Sequence, residues 1–168
     1  MQFDKYVLMA RELGAKNAVP FVMSDIFFDP RVVLKCIFGC DSYGKNHTCP
    51  NQKSPLTMEQ YREIFMYYEG GVIIGCTDKK QSQDISYEIE RTSFLDGHYF
   101  SFSLNDCCIC KECTRVNNED CRMPTKARPA FHGVGIDVFK TVNKLGLPLA
   151  VAKDFNDEIN WYSAVFIS

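Results

Sequence analysis

Hydrophobic residues recur along the chain with two different periods, and segments of one period alternate with segments of the other. Spacings of three and four residues predict amphipathic helices, whereas a continuous apolar run or a strict alternation predicts a strand. The helical pattern covers residues 3–13, a short segment after Pro30, and residues 57–68, 82–95 and 134–145. The strand pattern covers residues 18–23, 71–76, 98–104, 148–153 and 159–167.

This alternation predicts an α/β fold with a single cysteine-rich domain over residues 1–168. Strands that alternate with helices usually pair in parallel. We therefore expect a mostly parallel sheet of about five strands, with helices packed on it. The last two strands, joined by a turn-rich segment, should form a C-terminal antiparallel hairpin. Residues 39–56 and 105–132 lack either pattern, and loops of this length need something that holds them in place.

Composition and net charge limit the classes of function that we expect for the protein. The chain has 168 residues, of which 46% are hydrophobic and 24% charged, as in ordinary globular domains. A net charge of -2 provides no general attraction to nucleic acid or to a membrane surface, and we expect neither as a partner. The first residues do not form an apolar signal segment, so we expect a cytoplasmic protein. Thiols stay reduced there, and crowded cysteines usually bind metal.

Four of the nine cysteines form a set with the spacing C-x2-C-x2-C-x7-C, namely Cys107, Cys110, Cys113 and Cys121. Four thiolates in one short loop can hold a tetrahedral zinc ion or a 4Fe-4S cluster. Three cysteines at two-residue intervals are typical of ferredoxins, whereas zinc sites more often add a second cysteine pair well downstream. The spacing therefore favours iron–sulfur, with zinc as the alternative.

Cys108 directly follows Cys107, and two adjacent side chains point in different directions. One of them should therefore be a spectator. We expect Cys107 to be the ligand, and the alternative in which Cys108 and Cys110 are used stays open at this point.

A second set consists of Cys36, Cys40 and Cys49. The first two would stand one helical turn apart on one face, and a turn at Tyr43-Gly44 would bring the third back to them. Three thiolates on a cluster leave one position open. Cys76 and His47 are candidate fourth ligands, although a core cysteine and a loop histidine are the ordinary interpretations. One or two centres are possible, because both sets could also converge on a larger or paired centre.

The two sets and their flanking residues form a combined pattern along nearly the whole chain. The matching segments are Cys36-x3-Cys40-x2-Tyr43-Gly44-x4-Cys49-Pro50, Cys107-x2-Cys110-x2-Cys113, Cys121-Arg122-x-Pro124, Arg128-Pro129 and Gly135-Ile136-Asp137-Val138. In these segments the chain resembles the domain-of-unknown-function family 2284, cysteine-rich predicted metal-binding proteins of anaerobic archaea and bacteria. The resemblance implies a small intracellular metalloprotein with iron–sulfur as its expected cofactor, and it implies no particular reaction.

The chain departs from this family pattern around the four-cysteine set. Asn105-Asp106 stands where a glycine usually precedes the set, and Phe131-His132-Gly133 stands where an acidic residue is typical. The second departure weakens any role for a carboxylate at that place, although His132 could titrate instead.

These observations predict an iron–sulfur protein that transfers electrons, alone or as a redox subunit of a larger enzyme system, with a redox protein as partner. Two alternatives are a zinc-stabilised interaction module and a catalytic cluster with an open iron at the three-cysteine set. The sequence does not decide whether the protein is an enzyme, which substrate it would use, or its oligomeric state.

Overall fold

The computed structural model of the protein describes residues 2–50, 56–154 and 158–168. Within these ranges the elements follow one another as α1 (Asp4–Glu12), β1 (Asn17–Val22), α2 (Val32–Gly39), α3 (Met58–Phe65), β2 (Gly70–Cys76), α4 (Lys79–Leu95), β3 (Phe102–Leu104), α5 (Val138–Lys144) and β4 (Trp161–Ile167). Short 3-10 turns lie at Met23–Asp25, Thr114–Asn117 and Phe131–Val134. Residues 51–55 of the first predicted loop and 155–157 of the predicted C-terminal turn lie outside the described residues.

The helices form where the hydrophobic spacing predicts them, and polar side chains set their first residues. The backbone N–H of Gln60 donates to Thr57 Oγ1 at 3.3 Å, and Gln60 Oε1 accepts from the N–H of Thr57 at 2.8 Å. This reciprocal pair is the capping box that starts α3. Asp137 accepts from the N–H of Lys140 at 3.0 Å, so α5 begins at Val138 rather than at residue 134.

The four strands form one sheet in the order β1–β2–β4–β3, and every neighbouring pair is antiparallel. β2 pairs with β4 over its whole length, from Gly70 opposite Ile167 to Cys76 opposite Trp161. The prediction of a mostly parallel sheet of about five strands is therefore wrong. The fold is α/β with a four-stranded antiparallel sheet.

The connection through α4 explains this error. β2 and β3 both run antiparallel to β4 and so point in the same direction, as strands joined by a helix usually do. β4 lies between them, which is the split β-α-β arrangement. Every residue of β2 is buried, so its sequence is a continuous apolar run. Such runs are more typical of parallel strands, because parallel sheets are covered on both faces.

The predicted C-terminal hairpin is also wrong, because residues 148–153 form no strand. β4 instead pairs with β2 along its whole length on one side and with the short β3 on the other. β3 itself is shorter than the sequence predicts. The N–H of Ser101 donates to the carbonyl of His98 at 3.0 Å, and this turn delays the strand until Phe102.

Helices cover both faces of the sheet, and alternate strand residues enter two hydrophobic clusters. Val72, Ile74 and Cys76 of β2 join the cluster beneath α1 and α4. Ile73 faces the other way and joins a cluster with residues of α3, α5 and the Phe131–Val134 turn. Central strands buried on both faces make the sheet the rigid part of the molecule.

The long cysteine-containing segment 105–132 leaves the sheet where β3 ends and β4 begins. Lys79, at the start of α4, lies at this end of the sheet. Its Nζ lies 2.8 Å from the carboxylate of Asp106 and 5.2 Å from the centroid of the Trp161 ring. In the described parts of the chain, no helix has both the length and the apolar character needed to cross a membrane.

Candidate metal centre

The three-cysteine set starts on α2 and continues in the loop after it. Cys36 lies within the helix and is buried, whereas Cys40 follows the last helical residue and is exposed. The backbone of Cys40 is extended, with φ -120° and ψ 113°, so the helix does not continue through it as the sequence suggests. The two residues nevertheless lie at the beginning and just after the end of the last turn of α2, where the chain enters the loop.

The loop after α2 folds back on itself, as the Tyr43-Gly44 turn predicts. The N–H of Tyr43 donates to the carbonyl of Cys40 at 3.0 Å, and Gly44 has a φ of 78°, which favours glycine. Cys49 Sγ then lies 3.7 Å from the carbonyl oxygen of Ser42. The turn therefore returns the third cysteine of this set to the neighbourhood of the second.

The thiols of this set influence one another electrostatically. The pKa of Cys36 is raised to about 11, first by burial and then by the nearby groups of Cys40, Cys49 and Asp106. Two more thiolates beside Cys36 would repel its negative charge, so the deprotonated set needs a cation to stabilise it. A bound metal ion supplies such a charge, and its binding releases the thiol protons.

The four-cysteine set occupies the loop after β3. Burial raises the pKa of Cys107, hydrogen bonds from the backbone N–H groups of Ile109 and Arg128 lower it, and the nearby Cys121 and Cys113 raise it again. Three of the four predicted ligands are therefore close enough to interact. The fourth, Cys110, is half-buried in the same loop. Backbone N–H groups directed at a cysteine sulfur also stabilise its thiolate.

Cys108 is turned away from this set, towards α4. Its backbone N–H and its Sγ both donate to Gln83 Oε1, at 2.9 and 3.0 Å. Its sulfur thus already has a hydrogen-bond acceptor on the helix. This contact supports the interpretation of Cys108 as a spectator and of Cys107 as the ligand.

A row of buried polar residues on α4 holds the same loop. The N–H of Asn105 donates to the carbonyl of Pro129 at 2.9 Å, which closes the loop at its base. Asn105 Nδ2 donates to Ser86 Oγ at 3.1 Å, and its Oδ1 is buried without a hydrogen-bond partner among the described residues. Asn105 therefore fixes the start of the loop to α4.

The other end of the loop is fixed by an ion pair between Arg128 and Glu90. Arg128 Nε lies 3.0 Å from Glu90 Oε2, Arg128 Nη2 contacts Oε1, and the two side chains are only 13% and 11% exposed. Glu90 Oε2 also accepts from the N–H and the hydroxyl of Ser103, at 2.7 and 2.5 Å. Nothing in the sequence identifies Glu90 as the partner of Arg128.

The two cysteine loops meet each other. His47 Nε2 lies 3.3 Å from Thr114 Oγ1, which joins the residue two before Cys49 to the residue after Cys113. Cys49 and Cys121 both line one cavity of about 540 Å³, together with side chains of the two loops and Tyr61. The sequence leaves open whether the two sets converge, and the fold brings one cysteine of each set to a common cavity.

The two candidate fourth ligands of the three-cysteine set lie in different surroundings. Cys76 is fully buried at the end of β2, in the hydrophobic cluster beneath α1 and α4. Burial raises the pKa of its thiol. His47 lies in the loop itself and contacts Thr114. The core position favours a packing role for Cys76.

His132 lies close to Asp106 on the same side of the molecule. The protein packed around its ring lowers the pKa of His132, an effect that Asp106 opposes and that Lys79 reinforces. His132 therefore favours its neutral form, in which one ring nitrogen can accept a hydrogen bond.

The donor types fit a thiophilic metal, but the side chains do not yet converge on one point. Among residues 2–50, 56–154 and 158–168, no three His, Cys, Asp or Glu side chains are close enough together to hold a metal ion. The thiols of each set are neighbours rather than a preformed cage, which is common in sites that form as the metal binds.

Comparison with known families supports metal binding by this chain. The family model described as "Predicted metal-binding protein (DUF2284)" matches residues 20–167, nearly the whole chain. No curated protein and no solved structure matches the chain.

Proposed function

The chain belongs to the DUF2284 family of predicted metal-binding proteins, and on this premise we propose that it is an iron–sulfur protein that transfers electrons. A cluster of this kind supplies reversible one-electron transfer at a potential that its protein surroundings adjust. The observation that carries the proposal is the C-x2-C-x2-C run on a loop whose backbone N–H groups point at Cys107 Sγ.

Cys107, Cys110, Cys113 and Cys121 are the proposed ligands of one 4Fe-4S cluster. Short C-x2-C steps allow one loop to supply thiolates from several directions. The N–H groups of Ile109 and Arg128 would stabilise negative charge on the first of these sulfurs. Hydrogen bonds to cluster sulfurs raise the reduction potential, so this loop geometry favours acceptance of an electron.

Cys36, Cys40 and Cys49 are the proposed ligands of a second cluster. Their thiols are neighbours, and the pKa of Cys36 reflects all three. Both loops reach the surface, and Cys40 is exposed. An exposed ligand would let an electron pass to or from a redox protein partner, or to a larger enzyme of which this chain is a subunit. Such thiols need a reducing compartment, and we propose the cytoplasm.

The test is anaerobic purification followed by iron, sulfide and zinc analysis and visible absorption. We expect a brown protein with about four irons and four sulfides per cluster. A variant with Cys110→Ser and Cys113→Ser should lose one cluster's share of the iron. A colourless protein that contains stoichiometric zinc would overturn the proposal.

Zinc remains a second candidate because the described cysteine loops have little regular structure apart from α2 and the 3-10 turn at Thr114–Asn117. A structural zinc ion would hold such loops in place, as in small zinc-binding modules. This function predicts that a chelator unfolds the loops and that no visible absorption is present.

A catalytic role at the three-cysteine set is a third candidate, and it is favoured by the cavity that Cys49 lines. Three thiolate ligands would leave one coordination position for a small molecule. Retention of the metal of the three-cysteine set in Cys76→Ser would support it, because that result removes Cys76 as the fourth ligand.

A further inference from the structure

We propose that the two cysteine sets form one paired metal centre, joined through Thr114, so that metal binding at one set strengthens metal binding at the other. The inference rests on the proposed metal-binding function and adds to it a coupling between the sets. It is carried by the hydroxyl of Thr114, the residue after Cys113, which contacts Asp120 directly before Cys121 and His47 two residues before Cys49.

Thr114 is the residue at which the two loops are joined. It directly follows Cys113, and its buried side chain is only 4% exposed. Its Oγ1 donates to the carbonyl oxygen of Asp120 at 2.8 Å, directly before Cys121. The same Oγ1 lies 3.3 Å from Nε2 of His47. One hydroxyl thus links two positions of the four-cysteine set to the loop that carries Cys49.

The hydrogen-bond chemistry gives this link a direction. A hydroxyl has one proton to donate, and Thr114 donates it to the carbonyl of Asp120. Towards His47 it can only accept, so Nε2 of His47 carries a proton and donates to Thr114. The chain of two hydrogen bonds runs from the first loop into the second. Successive hydrogen bonds of this kind strengthen one another.

Two further features place the sets side by side. Cys49 and Cys121 line the same cavity of about 540 Å³. A Cβ atom added to Gly133 would lie 3.6 Å from the carbonyl oxygen of Thr48, so the first loop packs closely against the end of the second.

We expect metal binding at the two sets to be coupled because each set must become ordered before it can bind metal. Metal at the four-cysteine set would fix Cys113 and Cys121, and with them the hydroxyl between them. His47 would then have a fixed acceptor, and the loop with Cys49 would lose less conformational entropy when its own thiols converge. Such coupling between sites is typically about 5- to 150-fold in affinity, and it is reciprocal.

The experiment uses Zn²⁺ alone as a probe, titrated into the reduced full chain in competition with a chromophoric chelator. In a variant with Cys40→Ser and Cys49→Ser, we expect the affinity of the four-cysteine set to fall by about 5- to 150-fold. Cys108→Ser, the matched cysteine control, should leave that affinity unchanged. Equal affinities in wild type and the double variant would overturn the inference, as would a four-cysteine set that binds no Zn²⁺.

A second comparison tests the link itself. Thr114→Val keeps the side-chain shape and removes the hydroxyl, so it should abolish the coupling, whereas Thr114→Ser should preserve it. His47→Ala should weaken the coupling from the other side without burying a new group. His98→Ala is its control, since His98 contacts the carbonyl of Ser168 at the opposite end of the sheet. Coupling that survives both Thr114→Val and His47→Ala would overturn the role of Thr114.

The two proposals fail separately. Zinc coupling with no iron–sulfur cluster in the anaerobically purified protein would refute the iron–sulfur function and leave the paired centre intact. Iron–sulfur clusters in both sets, together with Zn²⁺ affinities that do not depend on each other, would support the iron–sulfur function and overturn the paired centre.

Discussion

The ion pair between Glu90 and Arg128 should be one of the most sensitive points of the structure, and Glu90→Ala tests it. Glu90 accepts four hydrogen bonds, two from Arg128 and two from Ser103, and Ser103 is fully buried. The substitution leaves the guanidinium charge and the Ser103 N–H without these acceptors. Removal of one partner of a buried pair costs about 3–5 kcal/mol. For a chain of this size, that corresponds to a fall in Tm of about 6–20 °C.

The measurement is urea unfolding of the wild type and variants, followed by circular dichroism. Glu88→Ala is the matched control, because Glu88 lies on the same helix and its side chain is 46% exposed, with Arg91 at 3.7 Å. An exposed pair contributes about 0–1 kcal/mol. In a double-variant cycle, Glu90→Ala combined with Arg128→Ala should cost less than the sum of the single changes. Equal effects of Glu90→Ala and Glu88→Ala would refute the reasoning.

Glu90→Ala should also weaken metal binding, although Glu90 is not itself a proposed ligand. Arg128 lies at the end of the four-cysteine loop, and its backbone N–H donates to Cys107 Sγ. A displaced Arg128 withdraws that hydrogen bond and loosens the loop. We expect lower metal content per chain in Glu90→Ala, with normal content in Glu88→Ala.

Three further predictions concern single side chains. Cys107→Ser should lose metal from its set and Cys108→Ser should not, by metal analysis of the purified variants; equal losses would contradict the assignment. Cys76→Ser places a hydroxyl in an apolar core and should cost about 1–3 kcal/mol in urea unfolding at unchanged metal content, whereas metal loss at full stability would identify a ligand. Burial raises the pKa of Tyr162 to about 12, and its hydroxyl donates to the carbonyl of Pro148. Between pH 10 and pH 12 the phenol therefore ionises in the unfolded chain but stays neutral in the folded one. About 2–3 kcal/mol of stability should be lost over this range. Tyr162→Phe should remove this contribution to the pH dependence and the exposed Tyr99→Phe should not; identical profiles in both would disprove it.

Hydrophobic spacing predicts which segments of this chain are helices, and it locates three of the four strands within about two residues. It cannot predict strand direction here. β2 is buried on both faces, and a continuous apolar run has the same appearance in a parallel and in an antiparallel sheet. The position of β4 between β2 and β3 depends on pairing between segments far apart in sequence. Local patterns carry no information about such pairing.

The same distinction applies to the candidate site. Cysteine spacing predicts the grouping within each set, because short steps such as C-x2-C keep side chains together in any compact loop. Contacts between distant segments are different. Arg128 and Glu90 are 38 residues apart, and His47 and Thr114 are 67 apart, yet each pair is in contact. A single arginine or threonine has many possible partners in a sequence, and only the fold selects one.

Helix α4 contacts both the hydrophobic core and the candidate metal site. Its apolar side chains, Ile85 and Ile89, pack into the core on one face of the sheet. Its buried polar side chains Gln83 and Ser86 hold the four-cysteine loop near its start, and Glu90 holds its end. A substitution that shifts the helix must therefore move both the core and the loop. Because buried polar groups are costly when left without partners, the loop in turn stabilises the helix that positions it.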